Sequence, residues 1–399
     1  MNFTETAEEA AFRQEVREFI RKNLSPQVAH RFRRGWRWTR AETEPWTRKL
    51  HARGWSAPNW PSEHGGTGWS PMLRHIFETE MWAAGAPPTH NQNFDLVGPI
   101  VYTFGTEEQK RRILPKILSG EIYWAQGFSE PNAGSDLAAL RTSAVRQGEG
   151  YLVNGQKIWT TDAEVCDGVF TLVRTSTGGK PQAGISFLLI DLRSPGITVR
   201  PIKLMNGESH LNEVFFDNVT VPVTNRVGEE NRGWDYSKIL LVHERTASAR
   251  VPELRRDLAN IRAHAADVCT ATGSTLIEDV FFRRELGRLD IEVTALEYTV
   301  LRVLSEENQS SASQASSVLK IRGSELLQQV SELATKALGS YANVVYPMPL
   351  DAEESWLASL PGPNWASGVT AAFLQFRAAT IYGGSNEIQR NLLARALLK

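Results

Sequence analysis

The chain has 399 residues, long enough for two or three domains, because a single hydrophobic core stops growing near about 250 to 300 residues. A formal net charge of -1 provides no field that would attract nucleic acid or anionic lipid, which argues against a nucleic-acid-binding function. Hydrophobic content of 41% and charged content of 22% are typical of a globular protein, and no apolar run approaches the roughly 18 residues of a membrane span.

The cysteines, histidines and N-terminus exclude further classes. Cys166 and Cys269 are far apart and form no CxxC pair, so the sequence indicates neither a disulfide framework nor a zinc site. The eight histidines include no HExxH sequence, and we expect no metal. The chain starts with early acidic residues and lacks a basic stretch followed by an apolar run, so we expect no signal peptide and a cytoplasmic location.

Helical periodicity dominates the start of the chain. An amphipathic helix is predicted near the N-terminus, where Thr6 and Glu9 have the spacing of a capping box. Further helices are predicted over 46–51 and 72–82, separated by a loop rich in glycine and proline. We predict an N-terminal helical domain over residues 1–122.

The hydrophobic period changes near residue 123. Short segments rich in β-branched and aromatic residues, bounded by Gly, Pro, Asn or Asp, predict strands. These predicted strands cover 168–174, 185–192 and 213–221. We predict a central β-domain over residues 123–232.

Helical periodicity returns after Gly233. Pro252 separates the first two predicted helices, Gly339 ends the last, and the polar run 306–317 is predicted to be an exposed connection. The predicted helices cover 234–250, 253–264, 281–304 and 318–338. We predict a C-terminal helical bundle domain over residues 233–399.

Two segments of the central region carry the strongest chemical signal: 126–136 (QGFSEPNAGSD) and 151–161 (YLVNGQKIWTT). They resemble the paired flavin-binding segments of the acyl-CoA dehydrogenase family. Either segment alone would more often be a loop and hairpin with a structural tryptophan. Further matches occur in the family's order along nearly the whole chain, and this ordered set favours the resemblance. They cover 104–110, 218–222, 228–234 and 381–390.

The resemblance implies an α+β multi-domain fold. Its N-terminal domain is helical, its central domain is β-barrel-like, and its C-terminal domain is a four-helix bundle. The pattern is most similar to bacterial members such as the pimeloyl-CoA dehydrogenase large subunit.

A flavin ring is flat and apolar on its faces and carries hydrogen-bonding atoms at its edge, so its site needs an aromatic wall and small polar donors. Trp159 can form the wall, and Ser129 and Thr161 can supply hydroxyl groups. The resemblance implies FAD as the cofactor and Ser135 as a substrate contact. It also implies flavin contacts at Gln126, Phe128, Ser385 and Glu387.

Oxidation of an acyl thioester requires a base for the α-proton, and a carboxylate in a dry pocket suits that task. Many members of the family carry this glutamate where the present chain has Gly383. Others carry it on the first helix of the C-terminal domain, directly before an arginine, and Glu244 and Arg245 occupy that position here. Glu244 shares a helix face with Tyr236 and Leu240, although a surface glutamate is the alternative. We predict Glu244 as the base.

The glycines near the C-terminus have a possible role at the substrate. Gly383 and Gly384 allow positive φ and close backbone approach, which leaves space for a bulky acyl group; the alternative is a turn that ends a helix. The resemblance implies that Arg245, Tyr382 and Gly383 bind the substrate.

One feature departs from the family pattern. Members commonly use an arginine after the first bundle helix to hold the flavin pyrophosphate of a neighbouring subunit, but 267–273 contains none. Arg283 and Arg284 are nearby alternatives that spacing does not select. The departure leaves open both a homo-oligomer and a hetero-oligomer with a homologous subunit.

The function implied by the resemblance is FAD-dependent dehydrogenation of an acyl-CoA substrate to the trans-2-enoyl-CoA. Glu244 would take the α-proton, flavin N5 would take the β-hydride, and an electron-transfer flavoprotein would accept the electrons. Two alternatives remain open at this point: an oxygen-using flavin oxidase or monooxygenase on the same fold, and a catalytically silent partner subunit of a heteromeric enzyme.

Overall fold

The computed structural model describes residues 5–33, 36–243, 249–305, 309–344, 346 and 360–398, without the side chains of 239–243, 305 and 309–314. Along the described chain, helices are followed by one eight-stranded sheet and then by further helices. This order confirms the predicted fold class. Glu244 and Arg245 lie outside the described residues.

The N-terminal helices begin at side-chain caps that the sequence makes recognisable. The Thr6 hydroxyl accepts a hydrogen bond from the Glu9 backbone N–H and the Glu9 carboxylate accepts one from the Thr6 backbone N–H, which confirms the predicted capping box. Thr39 and Thr106 cap two further helices in the same way. The helices are α1 (Ala7–Asn23), α2 (Pro26–Arg33), α3 (Arg40–Arg53), α4 (Pro71–Ala84), α5 (Gly98–Phe104) and α6 (Glu107–Leu118).

The central strands form one open sheet. They are β1 (Trp124–Gly127), β2 (Ser143–Gln147), β3 (Gly150–Thr161), β4 (Gly168–Arg174), β5 (Ile185–Asp191), β6 (Ile197–Ile202), β7 (Leu211–Pro222) and β8 (Arg226–Val227). The order is β6-β7-β3-β2-β4-β5-β8, and β1 pairs with β4. β4 and β5 are buried at nearly every position, because they are covered on both faces. The three predicted strands correspond to β4, β5 and β7.

The C-terminal helices pack around a leucine-rich core. They are α7 (Gly233–His243), α8 (Val251–Asp267), α9 (Val280–Ser305), α10 (Gln309–Leu338), α11 (Ala366–Phe376) and α12 (Asn386–Leu397). Buried Leu258, Leu289 and Leu326 belong to the core between α8, α9 and α10. Pro252 lies in the first turn of α8, where its missing N–H breaks no helical hydrogen bond, so it marks the predicted boundary.

The predicted connection over 306–317 is too long, because α10 already begins at Gln309. Serine-rich sequence is a poor helix former, but tertiary contacts override that preference. The buried Ser317 hydroxyl, for example, donates to Gln389 Oε1 at 2.8 Å and so attaches α10 to α12.

The three regions share a continuous core. One apolar cluster runs from Trp60 and Ile100 in the N-terminal region, through Phe170 and Phe187 of the sheet, to Tyr236 of α7. α4 also packs directly on α8 and α9. The three regions therefore meet closely enough to enclose a site between them.

Candidate functional site

A cavity of about 740 Å³ lies where the three regions meet. Its walls come from α2 and the segment before α3, from the residues that end and follow β3, and from α8, α10 and α11. Aromatic side chains form much of the surface: Phe32, Trp36, Trp38, Trp82, Trp365 and Phe376. A cavity of this size with an aromatic lining suits a bulky and mostly apolar ligand.

Several charged side chains of the cavity wall form ion pairs. Asp162 pairs with Arg37 at 2.8 Å and Glu208 with His210 at 2.9 Å. Two further pairs lie along α8: Arg250–Glu253 at 2.5 Å and Arg256–Asp257 at 2.6 Å. Paired charges offer little net attraction to a charged ligand, so this part of the wall favours a neutral occupant.

His90, also in the cavity wall, joins two carboxylates. Its Nε2 lies 2.6 Å from Glu78 and its Nδ1 lies 3.1 Å from Asp95. Burial by itself lowers the pKa of His90, but the Glu78 and Asp95 carboxylates outweigh it and raise that pKa well above its usual value. The imidazolium therefore ties α4 to the segment that precedes α5.

The predicted flavin wall lies at an interruption of strand β3. Pairing between β3 and β7 shifts register between Lys157 and Thr160, and Trp159 has a left-handed φ of 61°. The indole is 54% exposed, which is unusual for so large an apolar side chain. Thr161, two residues on, lines the cavity. Of the two predicted flavin residues of β3, Thr161 lies on the cavity wall and Trp159 is exposed two residues before it.

The other predicted flavin segment runs alongside β3. The backbone N–H of Ile158 donates to the Ser129 carbonyl at 3.0 Å, so Ser129 lies directly beside the position of Trp159. The ring of Phe128 packs edge-on against Phe170 at 5.8 Å in the core. Gln126 is half-buried within β1.

Sequence reasoning did not identify the ion pair that joins these two segments. Lys157 is fully buried, and its Nζ lies 2.7 Å from Glu130 Oε1. Burial lowers the pKa of Lys157 to about 8, although the Glu130 carboxylate opposes this shift. The strand period could have revealed that Lys157 is buried. Side chains of a strand point alternately to its two faces, so Lys157 lies on the same inward face as Tyr151 and Val153.

The turn that contains Gly383 approaches the cavity through Arg250. Arg250 lines the cavity and donates from Nη1 to the Tyr382 hydroxyl at 3.2 Å. Lys320 Nζ lies 5.2 Å from the centre of the Tyr382 ring. Gly383 has a φ of 65°, and among the described residues a Cβ there would have only Lys320 Cε within 4 Å, at 3.9 Å. The position that carries a glutamate in many family members is therefore uncrowded by the described part of the chain.

Three further predicted residues, Ser135, Ser385 and Glu387, are described and do not line the cavity. Ser135 is exposed on the turn after Ala133. Ser385 accepts a hydrogen bond from the Ile388 backbone N–H and so caps α12, where Glu387 is highly exposed. Glu244 and Arg245 follow the last described residue of α7, His243, and lie outside the described residues.

The segment without the expected arginine forms a tight hairpin. The Thr270 backbone N–H donates to the Ser274 carbonyl at 2.8 Å, and the hydroxyls of Thr270, Thr272 and Ser274 hydrogen-bond with one another. Arg283 and Arg284 are exposed on the first turns of α9. The hairpin therefore presents hydroxyl groups where a cation was expected.

The donor set beside β3 fits a flavin. An exposed indole, the Ser129 and Thr161 hydroxyls and free backbone groups of an interrupted strand supply the wall and edge contacts that such a ring requires. Within the described part of the chain, no group of His, Cys, Asp and Glu side chains is suited to hold a metal ion. None of the described helices combines the length and apolar character needed to cross a membrane.

Three family models match consecutive parts of the chain. They are the acyl-CoA dehydrogenase N-terminal domain over residues 6–121, the middle domain over 125–219 and the C-terminal domain over 231–398.

Curated relatives and solved structures agree with these matches. The chain is 34% identical over 360 residues to acyl-CoA dehydrogenase IpdE1 of Mycobacterium tuberculosis, covering 90% of this chain and 88% of that protein. It superposes on a chain of the ChsE4-ChsE5 complex from Mycobacterium tuberculosis with a TM-score of 0.85 and 31% identity, covering 100% and 98% of the two chains. The Tcur3481-Tcur3483 steroid ACAD gives a TM-score of 0.84 at 28% identity, covering 100% and 99%.

Proposed function

The chain belongs to the acyl-CoA dehydrogenase family, and on that premise we propose that it oxidises a bulky acyl-CoA to the trans-2-enoyl-CoA with Glu244 as base. Acyl-CoA dehydrogenation is the family's general reaction, and its members are FAD-dependent oxidoreductases. The observation that carries the proposal is the cavity at the junction of the three regions, with Thr161 in its wall and the Tyr382 turn attached through Arg250.

We propose that FAD binds along β3, where it supplies the acceptor for the two electrons removed from the substrate. Trp159 covers one face of the ring, and the hydroxyls of Ser129 and Thr161 bind its edge. Gln126 and Phe128 contribute backbone groups from β1 and the residue that follows it. Ser385 and Glu387, at the start of α12, complete the proposed flavin contacts.

Glu244 is proposed as the base because the family pattern places a glutamate directly before an arginine at this position. Several other carboxylates of the cavity wall already have partners: Asp162 pairs with Arg37, Glu208 with His210 and Glu253 with Arg250. Asp257 lies 2.6 Å from Arg256, but burial raises the pKa of Asp257. Glu244 precedes the cavity residue Arg250 by six positions.

The substrate contacts are proposed at Ser135, Arg245, Tyr382 and Gly383. The position of Gly383, which the described residues do not crowd, supports a bulky acyl group, and so does the size of the cavity. One structural relative is described as a steroid ACAD. We propose an acyl group of comparable bulk, joined to CoA as a thioester.

We propose that the chain works with a homologous but different subunit. The hairpin around Thr270 lacks a cation that could hold a neighbour's flavin pyrophosphate, and one structural relative is a complex of two chains, ChsE4 and ChsE5. Val280 and Phe281, at the start of α9, are 71% and 80% exposed, which suits a contact with another subunit. Electrons are proposed to leave to an electron-transfer flavoprotein.

Anaerobic titration of the FAD-loaded protein with a panel of acyl-CoAs tests the proposed reaction. Bulky acyl-CoAs are expected to bleach the visible flavin band, and short linear ones to bleach it weakly. Native mass and flavin content are measured on the same sample, alone and with a homologous partner.

Each alternative function has its own outcome in this experiment. Failure to bind FAD both alone and with a partner supports the silent subunit and contradicts the proposal. Prompt reoxidation in air with product bound supports an oxygen-using enzyme instead.

A further inference from the structure

A buried ion pair joins the two segments that are proposed to bind the flavin. Lys157 is fully buried and Glu130 is 9% exposed, with 2.7 Å between Nζ and Oε1. The same ammonium group donates to the Phe128 carbonyl at 3.2 Å. The pair therefore connects strand β3 to residues 128–130.

A backbone contact extends this connection by one residue. The Ile158 N–H donates to the Ser129 carbonyl at 3.0 Å. Two consecutive residues of β3, Lys157 and Ile158, thus bind two consecutive carbonyls, those of Phe128 and Ser129. The next residue of β3 is Trp159, so these contacts set the distance between the proposed flavin wall and the Ser129 hydroxyl.

Trp159 needs such a constraint because its backbone is strained. Its φ of 61° costs about 1 to 2 kcal/mol for a residue with a Cβ, and it persists only where surrounding contacts fix it. Lys157 is the last residue of β3 in register with β7 before the interruption, and pairing resumes at Thr160. The anchored Lys157 side chain supplies the constraint on the N-terminal side of the strained residue.

Backbone hydrogen bonds hold the Glu130 carboxylate in one orientation within the ion pair. Its carboxylate accepts hydrogen bonds from the backbone N–H groups of Arg141, at 2.6 Å, and Thr142, at 2.9 Å. Replacing a buried ion pair by apolar side chains is often neutral or stabilising, so global stability is a weak reason for this pair. Its place between the two segments indicates a local role.

We propose that Lys157 is a positioning residue of the flavin site, which holds the carbonyls of Phe128 and Ser129 against β3 so that Trp159 and the Ser129 hydroxyl face one cofactor ring. Lys157 acts through these residues. The inference rests on the proposed function, because it requires that FAD bind between the two segments.

FAD titration of the apoprotein of the full chain tests this role, with Lys157→Met as the main variant. Affinity is measured by quenching of tryptophan fluorescence, and ring environment by the shape of the visible flavin spectrum. Loss of one charge-assisted hydrogen bond predicts FAD binding about tenfold to a hundredfold weaker. The flavin spectrum is expected to lose its resolved shoulder as the ring gains access to water. Lys157→Arg, which keeps the charge, is expected to recover part of both.

Tyr151→Phe is the matched control on the same strand. The Tyr151 hydroxyl contacts Glu230 and accepts from Arg226 Nη1 at 2.8 Å, at the opposite end of β3 from Trp159. This variant is expected to bind FAD with wild-type affinity. If Lys157→Met does not fold, Glu130→Gln is measured with the same expectation.

Two results overturn the inference: wild-type FAD affinity and spectrum in the Lys157 variant, or equal losses in the Lys157 and Tyr151 variants. Absence of FAD binding by the wild-type protein, alone and with a partner, contradicts the proposed function instead.

Discussion

At the scale of single residues, Gly383 has an unusual backbone conformation and few described neighbours. Its φ of 65° lies in the left-handed region, and Gly384 follows with 81°. Within the described ranges, a Cβ at Gly383 would have only Lys320 Cε within 4 Å, at 3.9 Å. The glycine is therefore required by conformation rather than by crowding from the described residues.

Gly383→Ala measures that conformational requirement. The variant is expected to unfold with a free energy about 1 kcal/mol lower than the wild type, because a Cβ is disfavoured at positive φ. Urea unfolding of the purified chain gives the value. Gly178→Ala is the control, since no described atom lies within 4 Å of its Cβ and its φ is not positive. Equal effects of the two substitutions would show that backbone strain at Gly383 is absent.

At the scale of elements, the sequence predicted helix ends and strands correctly where nearby residues determine them. Thr6 and Glu9 fixed the start of α1, and the β-branched run of β4 was predicted to the residue. The start of α10 was missed because tertiary contacts such as that of Ser317 override serine's low helix propensity. The interruption at Trp159 was also missed, since it depends on contacts with residues 128–130 that are distant in sequence.

The ion pairs of His90 should make the contribution of α4 packing to stability depend on pH. Because its pKa in the folded protein lies above the unfolded value near 6.5, the stabilisation is complete below that pH and is lost as pH rises through the folded pKa. His90→Gln is therefore expected to lower the free energy of unfolding most at pH 6 and less at alkaline pH. Urea unfolding of both proteins at several pH values measures this difference.

The exposed His51 on α3 provides the control. His51→Gln is expected to track the wild type at every pH. A difference between wild type and His90→Gln that stays constant with pH would contradict the ion-pair account.

At the scale of the whole molecule, the order of the motifs predicted the family and its sequence of helices, strands and helices. The cavity was beyond prediction, because Phe32, Trp82 and Trp365 come from separate regions of the chain and meet only through packing. The ion pairs on its wall could not be predicted either, because their partners are brought together by the same packing. The domain boundaries at 122 and 232, and the individual site residues, remain predictions.

The most direct test of the account is anaerobic reduction of the FAD-loaded Glu244→Gln variant by an acyl-CoA that bleaches the wild type. Loss of the base is expected to slow flavin reduction by roughly 10²- to 10⁴-fold while FAD stays bound. Glu164→Gln, on the wall of the same cavity, is the control and is expected to reduce normally. Adding Gly383→Glu to Glu244→Gln is expected to restore part of the rate, because the described residues do not crowd that position. Reduction of Glu244→Gln at the wild-type rate would contradict the account.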